Sequence, residues 1–215
     1  MDWSQLFFEL LDVLGTVSFA LSGAMLAVKK QTDLFGVMLM GIVSAVGGGV
    51  TRDVLLGSVP PAAFTNSRYV LMAAVTSAVL FLIARWQKEL YLTRADLVDK
   101  INNVADAVGL GAFSVTGVQT AAAAGYGDNL FFAVFLGVIT GVGGGVLRDI
   151  MLMQVPFILV KRVYAVASIL GALGYYQLVK FGVEQAMASL TGMVIVFCVR
   201  MLATHYRWNL PKTCD

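Results

Sequence analysis

The chain has 215 residues, of which 59% are hydrophobic and 13% charged, with 15 Lys+Arg against 13 Asp+Glu and a formal net charge of +2; its mean hydropathy is +0.82. An average soluble domain carries about 25% charge, so these residues cannot coat a core of this length against water, and the composition is that of a membrane protein. A balance of +2 gives no support for a nucleic-acid partner, and none is expected.

The N-terminus, "MDWSQLFFELLD", has acids where a basic region would open a cleavable signal, and it reads as the start of a first span. A membrane helix needs about 20 mostly apolar residues. Seven segments approach this: residues 6–28, 34–57, 67–85, 101–121, 129–153, 160–179 and 184–204. The longest connection, "RWQKELYLTRADLVDK" from Arg85, gathers much of the charge near the middle of the chain. Trp3, Trp86 and Trp208 fall at span ends, as interfacial anchors do. Cys198 lies in an apolar run and Cys214 in the tail, which gives neither a disulfide framework nor a metal-ligand spacing, and Cys198 is expected as a buried small hydrophobe. His205 has no ligand cluster beside it.

Lys29, Lys30, Arg85, Lys88, Arg94, Lys100, Lys161, Arg162, Arg200, Arg207 and Lys212 fall on one side of this arrangement, against Arg68 and Lys180 on the other, with Arg52 and Arg148 set aside. Basic residues collect in short cytoplasmic loops. The N-terminus is therefore expected outside and the C-terminus in the cytoplasm of a multi-pass inner-membrane protein.

"GGGVTRDVLL" begins at Gly47, and "GGGVLRDIML" begins 96 residues later at Gly143. The surrounding stretches from Gly41 and Gly137 share 11 of 20 residues, through Pro60 and Pro156. "DVLGTVSFALSG" from Asp12 likewise resembles "DAVGLGAFSVTG" from Asp106, with Ser22 matched by Thr116. Spans 1–3 and 4–6 are thus two copies of one unit. Three spans are an odd number, so the second copy enters the bilayer upside down, as in the inverted repeats of transport proteins. The expected fold is an all-α membrane protein in one transmembrane domain over residues 1–215: repeat 1 at about 6–85, repeat 2 at about 101–179, and a seventh helix at about 184–204 without counterpart.

Each glycine lowers helix preference by roughly 1 kcal/mol relative to alanine, so helices 2 and 5 are expected to break at Gly47, Gly48 and Gly49 and at Gly143, Gly144 and Gly145. Irregular backbone in hydrocarbon is tolerated where it meets protein or lines a wet cavity, which would place both breaks at a constriction. Close helix packing is the alternative, since Gly137, Gly141 and Gly145 are small residues at spacing four. It leaves the ions unexplained. A charge near the bilayer centre costs about 2.5–3.5 kcal/mol and usually faces a cavity or a partner. Arg52, Asp53, Arg148 and Asp149 therefore read as gate or charge-pairing residues. Asp12 shares a face with Phe19 and Gly23, and Asp106 with Phe113 and Gly117, so Asp12 and Asp106 are alternative partners for the arginines. Spacing leaves the pairing open.

The duplicated GGGxxRD motif, the start "DxxGTxxFAxSG" and the three-plus-three-plus-one layout resemble the prokaryotic TRIC (trimeric intracellular cation) channels, a family also described as glycine transporters. The resemblance covers nearly the whole chain. It implies a homotrimer in membrane lipid, one hourglass pore per protomer, and a permeating monovalent cation, chiefly potassium. No cofactor is implied beyond that ion and possible bound lipid, and no metal. Carried over, the pore residues are Gly47, Gly48, Gly49, Gly143, Gly144 and Gly145 with the hydroxyls of Ser44 and Thr140 one turn earlier, since carbonyls and hydroxyls can replace hydration. The competing reading is a secondary transporter of a small solute such as glycine, because alternating access uses the same inverted repeats. An enzyme is not expected: no nucleophile stands at useful spacing from a base, and no Lys-Ser/Thr follows the glycines as in a phosphate loop.

Overall fold

The computed structural model describes residues 3–87, 94–160 and 163–208, with side chains from residue 6 onward. Lys88, Lys161, Arg162, Lys212, Cys214 and the Trp3 side chain lie outside what is described. The long helices are α1 (Trp3–Lys29), α2 (Leu34–Leu55), α4 (Arg68–Trp86), α5 (Ala95–Ala121), α6 (Leu130–Met151), α8 (Tyr164–Lys180) and α9 (Gln185–His205). Two single-turn helices, α3 (Ala62–Thr65) and α7 (Phe157–Val160), interrupt the returns after α2 and α6. Six of the long helices are apolar and long enough to cross a bilayer. The other, α8, has 17 residues, or about 26 Å of helix.

The duplication is visible in small local devices. Asp33 caps α2 by accepting from the Gly36 N–H at 2.7 Å, and Asn129 caps α6 by accepting from the Phe132 N–H at 3.0 Å. Such caps contribute about 1 kcal/mol each. Beyond the opposite helix ends, the Ser58 N–H donates to the Asp53 carbonyl and the Gln154 N–H to the Asp149 carbonyl. The copies are inverted. At one end of the bundle Lys29 pairs with Asp99 at 3.0 Å and Asn103 donates to Thr204 Oγ1 at 3.1 Å; this is the basic end. At the opposite end Arg68 lies 3.7 Å from Glu9, and Lys180 donates to Asp128, a hydrogen bond that holds this loop carboxyl below its usual range. Hence α2 runs away from the basic end and α6 toward it.

The expected breaks in the second and fifth long helices are corrected. Both α2 and α6 are helical through their triplets. Tertiary packing supplies what the glycines forfeit: the two helices cross at the triplets with backbone against backbone. A Cβ on Gly48 would stand 2.0 Å from the Thr140 carbonyl oxygen, and one on Gly144 would stand 2.1 Å from the Ser44 carbonyl oxygen. These two clashes are the same contact seen from each copy. The packing alternative therefore describes the first two glycines of each triplet, for Gly47 likewise faces the Gly144 Cα and Gly143 the Gly48 Cα.

A second crossing repeats the logic with aromatics. Phe19 of α1 lies on Gly109 and Phe113 of α5 lies on Gly15, and the two rings meet at 5.5 Å between centroids. Around these crossings α4, α8 and α9 lie outermost. On α4 only Ala73, Ser77 and Ala84 are buried, while Leu71, Val75, Val79, Leu82 and Ile83 face outward, as a lipid-facing helix requires. Cys198 is exposed on the outward face of α9, correcting its expected burial. Trp86 and Trp208 are exposed at helix ends.

A methyl group at the central crossing has nowhere to go. Gly48→Ala or Gly144→Ala is expected to lose about 3 kcal/mol, the upper end of overpacking effects. Gly49→Ala, whose nearest neighbour is Arg52 Nη2 at 3.7 Å, should melt like the wild type in detergent.

Candidate functional site

One turn beyond each triplet the Arg-Asp pair ends the helix, and spacing did not reveal that neighbours pair. Arg52 Nε donates to Asp53 Oδ1 at 2.9 Å, with Nη2 at 2.8 Å from the same oxygen. Arg148 repeats this on Asp149 Oδ1, with both distances 2.8 Å. The second carboxylate oxygen is used for the return loop: Asp53 Oδ2 accepts the Ala62 N–H at 2.9 Å and Asp149 Oδ2 the Phe157 N–H at 2.8 Å. Each Asp therefore ties the helix end to the start of the short helix after Pro61 or Pro156. The charges brace the backbone as well as facing the interior.

Beyond this shared clamp the copies diverge. Near the end opposite the basic one, a cavity of about 160 Å³ opens among Asp12, Thr16, Gly49, Arg52, Asp53 and Tyr69, with Phe113 and Thr140 contributed by the other copy. Asp12 makes no hydrogen bond or ion pair among the described residues, and the Arg52 side chain is 16% exposed. With Asp12 and Asp53 against Arg52, the lining carries one negative charge in excess when all three are ionised. Glu9 and Arg68 cancel at its rim.

The equivalent position toward the basic end is sealed. Arg148, Asp149 and Asp106 are each 0% exposed. Arg148 Nη1 lies 3.5 Å from Asp106 Oδ1 and donates to Ser22 Oγ at 3.1 Å; the Ser22 hydroxyl in turn lies 3.4 Å from Asp106 Oδ1. Gln154 donates to Asp149 Oδ1 at 2.8 Å, and the Phe157 ring packs on the Arg148 guanidinium at 5.1 Å. Third glycines face these clusters: Gly49 lines the cavity, while a Cβ on Gly145 would stand 3.6 Å from the Tyr164 hydroxyl. Ser44 and Thr140 donate to the carbonyls of Met40 and Leu136 within their own helices, both at 2.7 Å. Both are buried, and Thr140 also borders the cavity.

Three residues of the sealed cluster were not anticipated. Tyr164 is 2% exposed beside Asp106 and Arg148. Asn103 Oδ1 accepts from Arg200 Nη2 at 2.9 Å. Arg200, counted above among the cytoplasmic basic residues, is 2% exposed, lies 3.9 Å from Asp106 Oδ2 and stacks on the Tyr164 ring at 4.7 Å. A signal existed. Ala188, Gly192, Val196 and Arg200 recur every four residues, so Arg200 continues the buried stripe of α9.

An inverted pair of three-helix units, crossing at glycines and carrying a charge cluster on either side of the crossing, defines a multi-pass α-helical membrane protein of the kind that moves solutes. A family described as "Glycine transporter" matches residues 9–85 and 103–180, one stretch in each copy. The UPF0126 inner membrane protein YadS of Escherichia coli strain K12 is 38% identical over 205 residues, 94% of this chain and 93% of that protein. A UPF0126 membrane protein of Vibrio cholerae is 35% identical over 211 residues, 98% of this chain and 84% of that protein. A solved prokaryotic TRIC channel in 0.5 M KCl matches with a TM-score of 0.85 at 30% identity, over 96% of this chain and 100% of the other. The TRIC trimeric intracellular cation channel orthologue from Rhodobacter sphaeroides matches with a TM-score of 0.83 at 32% identity, over 94% and 98%. The chain belongs to the prokaryotic TRIC channel family.

The two clusters should respond unequally to loss of their arginines. Arg148→Met strands Asp106 and Asp149 in a dry site and is expected to lose about 3–5 kcal/mol. Arg52→Met, at the edge of a cavity water can enter, should lose about 1–2 kcal/mol, because solvent screens the orphaned carboxylate. Thermal unfolding of the two variants in detergent compares them directly; equal losses would contradict the asymmetry.

Proposed function

We propose that the chain is a monovalent-cation channel, permeable to potassium, with one hourglass pathway per protomer along α2 and α6 and a homotrimeric assembly in membrane lipid. Seven spans are assigned, with α8 as the short one, the N-terminus outside and the C-terminus in the cytoplasm. The 160 Å³ cavity is then the outer vestibule and the Arg148 cluster the inner closure.

The observation that carries the reading is the contrast between two copies of one site. The outer copy is open around Asp12, a carboxylate with no hydrogen-bond or ion-pair partner among the described residues; the inner copy is closed around Asp106, which two arginines approach. Water-lined carboxylates attract cations and repel anions. Solved relatives that are cation channels match over nearly the whole chain, which supports the same reading.

The carrier reading has one observation in its favour, since a cavity open to one side and sealed to the other is also what alternating access requires. Its proposed substrate fits less well. Zwitterionic glycine has no net charge, so a vestibule with one negative charge in excess when Asp12, Asp53 and Arg52 are ionised attracts a free cation more strongly.

Purified protein in a planar bilayer is expected to give unitary currents whose reversal potential, with potassium chloride at unequal concentrations, follows the cation. Asp12→Asn should lower the cation-to-anion permeability ratio by roughly 5-fold or more, about the 1 kcal/mol of one charge at a wet site. Saturable solute uptake without unitary currents would replace the channel with the carrier.

A further inference from the structure

Asp106 is the inner counterpart of Asp12, yet its surroundings are not the mirror image. Its Oδ1 is met by Arg148 and Ser22, while its Oδ2 has no hydrogen-bond partner among the described residues although it is wholly buried. The nearest cation to that oxygen is Arg200 at 3.9 Å, too long for a hydrogen bond. Arg200 comes from α9, the helix outside the duplication, so the outer site has no equivalent of it. Its guanidinium is incompletely bound: one Nη2 hydrogen bond to Asn103 and the Tyr164 ring face hold it, and Nε is left without a partner. The same side chain borders a second, larger cavity at the basic end, of about 880 Å³, lined by Asn103, Thr204 and Trp208 and by the charged Asp99, Lys100 and Arg207.

We propose that Arg200 is a tethered cation that occupies the inner carboxylate site in the closed state, in competition with the permeating ion. With Arg200 in place the buried inner set of Asp106, Asp149, Arg148 and Arg200 is neutral and dry. Its withdrawal toward the 880 Å³ cavity leaves Asp106 facing the pathway with one negative charge in excess, as the outer site has when its three groups are ionised. On leaving, the guanidinium gives up a long ion pair to Asp106, one hydrogen bond to Asn103 and a ring contact, and the exchange is reversible because the permeating cation takes over the charge of Asp106, so the carboxylate is never left buried and unpaired. Arg148 is held differently, by two hydrogen bonds, Nε to Asp149 Oδ1 and Nη1 to Ser22 Oγ, and by its close ion pair with Asp149, and stays. The seventh helix thus makes one end of a duplicated pathway closable.

This inference rests on the channel reading for its ion but not for its motion, so two readouts separate them. In potassium-loaded proteoliposomes Arg200→Gln is expected to raise the basal flux roughly tenfold, a typical coupling between a latch and a conducting state, while Arg200→Lys, which keeps the charge, stays near the wild-type rate. In a Cys198→Ser, Cys214→Ser background, Ser22→Cys should react with a membrane-impermeant thiol reagent from the basic side roughly tenfold faster when Arg200→Gln is added. If Arg200→Gln does not assemble, Asn103→Leu, which removes the hydrogen-bond acceptor alone, is read in its place and should move both measurements the same way. Wild-type flux together with unchanged labelling in an assembled variant overturns the latch. Faster labelling with no potassium flux in any protein, the wild type included, keeps the latch and removes the channel.

Discussion

Gly48 and Gly144 press their backbones against each other's helices, and that contact sets the distance between the two inverted copies. Helices that cross this closely have no side chain between them at the crossing, so anything a pathway needs must come from the residues just before and after it. The third glycine, one turn short of the Arg-Asp pair, turns away from the partner helix on each side. There the side chains of Thr140, Arg52 and Asp12 gather at one end, and those of Ser22, Arg148 and Asp106 at the other. A constriction with a polar site above and below it follows from the crossing and the duplication together.

The paired Arg and Asp illustrate how a membrane protein makes intramembrane charge tolerable. An isolated ion would be unfavourable by several kcal/mol, but Arg52 and Arg148 each saturate one oxygen of the next residue, and the other oxygen takes the N–H that opens α3 or α7. The Asp is thereby satisfied by geometry available only where a helix ends and the chain folds straight back. The helices have already ended and the chain turned at Gly57 and Met153, both with positive φ, and Pro61 and Pro156 immediately precede the short helices whose first N–H groups meet the carboxylates. Local bracing and charge neutralisation are one structure, so a role in stability does not compete with a role in the pathway.

Most of the architecture was legible because the repeat is written in identities: the two triplets, the RD pairs, Phe19 with Phe113, and Asp12 with Asp106. The unbroken helices were not. A propensity of roughly 1 kcal/mol per glycine is a local term, and it was outweighed by the backbone contacts of Gly48 with Thr140 and Gly144 with Ser44, residues about 92 and 100 apart in the chain, which no local window contains. Pairing of Arg52 with Asp53 was hidden for a different reason. The 100° separation of neighbours constrains helix interiors, whereas both residues sit at the last turn, where a long arginine side chain can curl back. Arg200 was misplaced because a basic residue near the end of a last span satisfies the positive-inside pattern equally well as a surface charge, and only its register with Gly192 and Val196 distinguishes the two.

Continuous helices also constrain how selective the proposed pathway can be. In an unwound filter, carbonyl oxygens are free to replace an ion's hydration shell. Here the carbonyls of the triplets remain in the helical ladder, and that of Gly47 accepts the Thr51 hydroxyl as well, at 2.8 Å. Ser44 and Thr140 likewise spend their hydroxyl protons within their own helices, which leaves their oxygen lone pairs and the carboxylates of Asp12 and Asp106 as the groups able to meet a cation. Carboxylates favour positive over negative ions by charge, but Asp12 in its cavity and Asp106 in its sealed cluster offer too few fixed oxygens to strip potassium in preference to sodium. Under the proposed channel reading, a passage at this crossing would discriminate by sign more than by size, and the proposed latch would control it by setting whether Asp106 faces the pathway or an arginine.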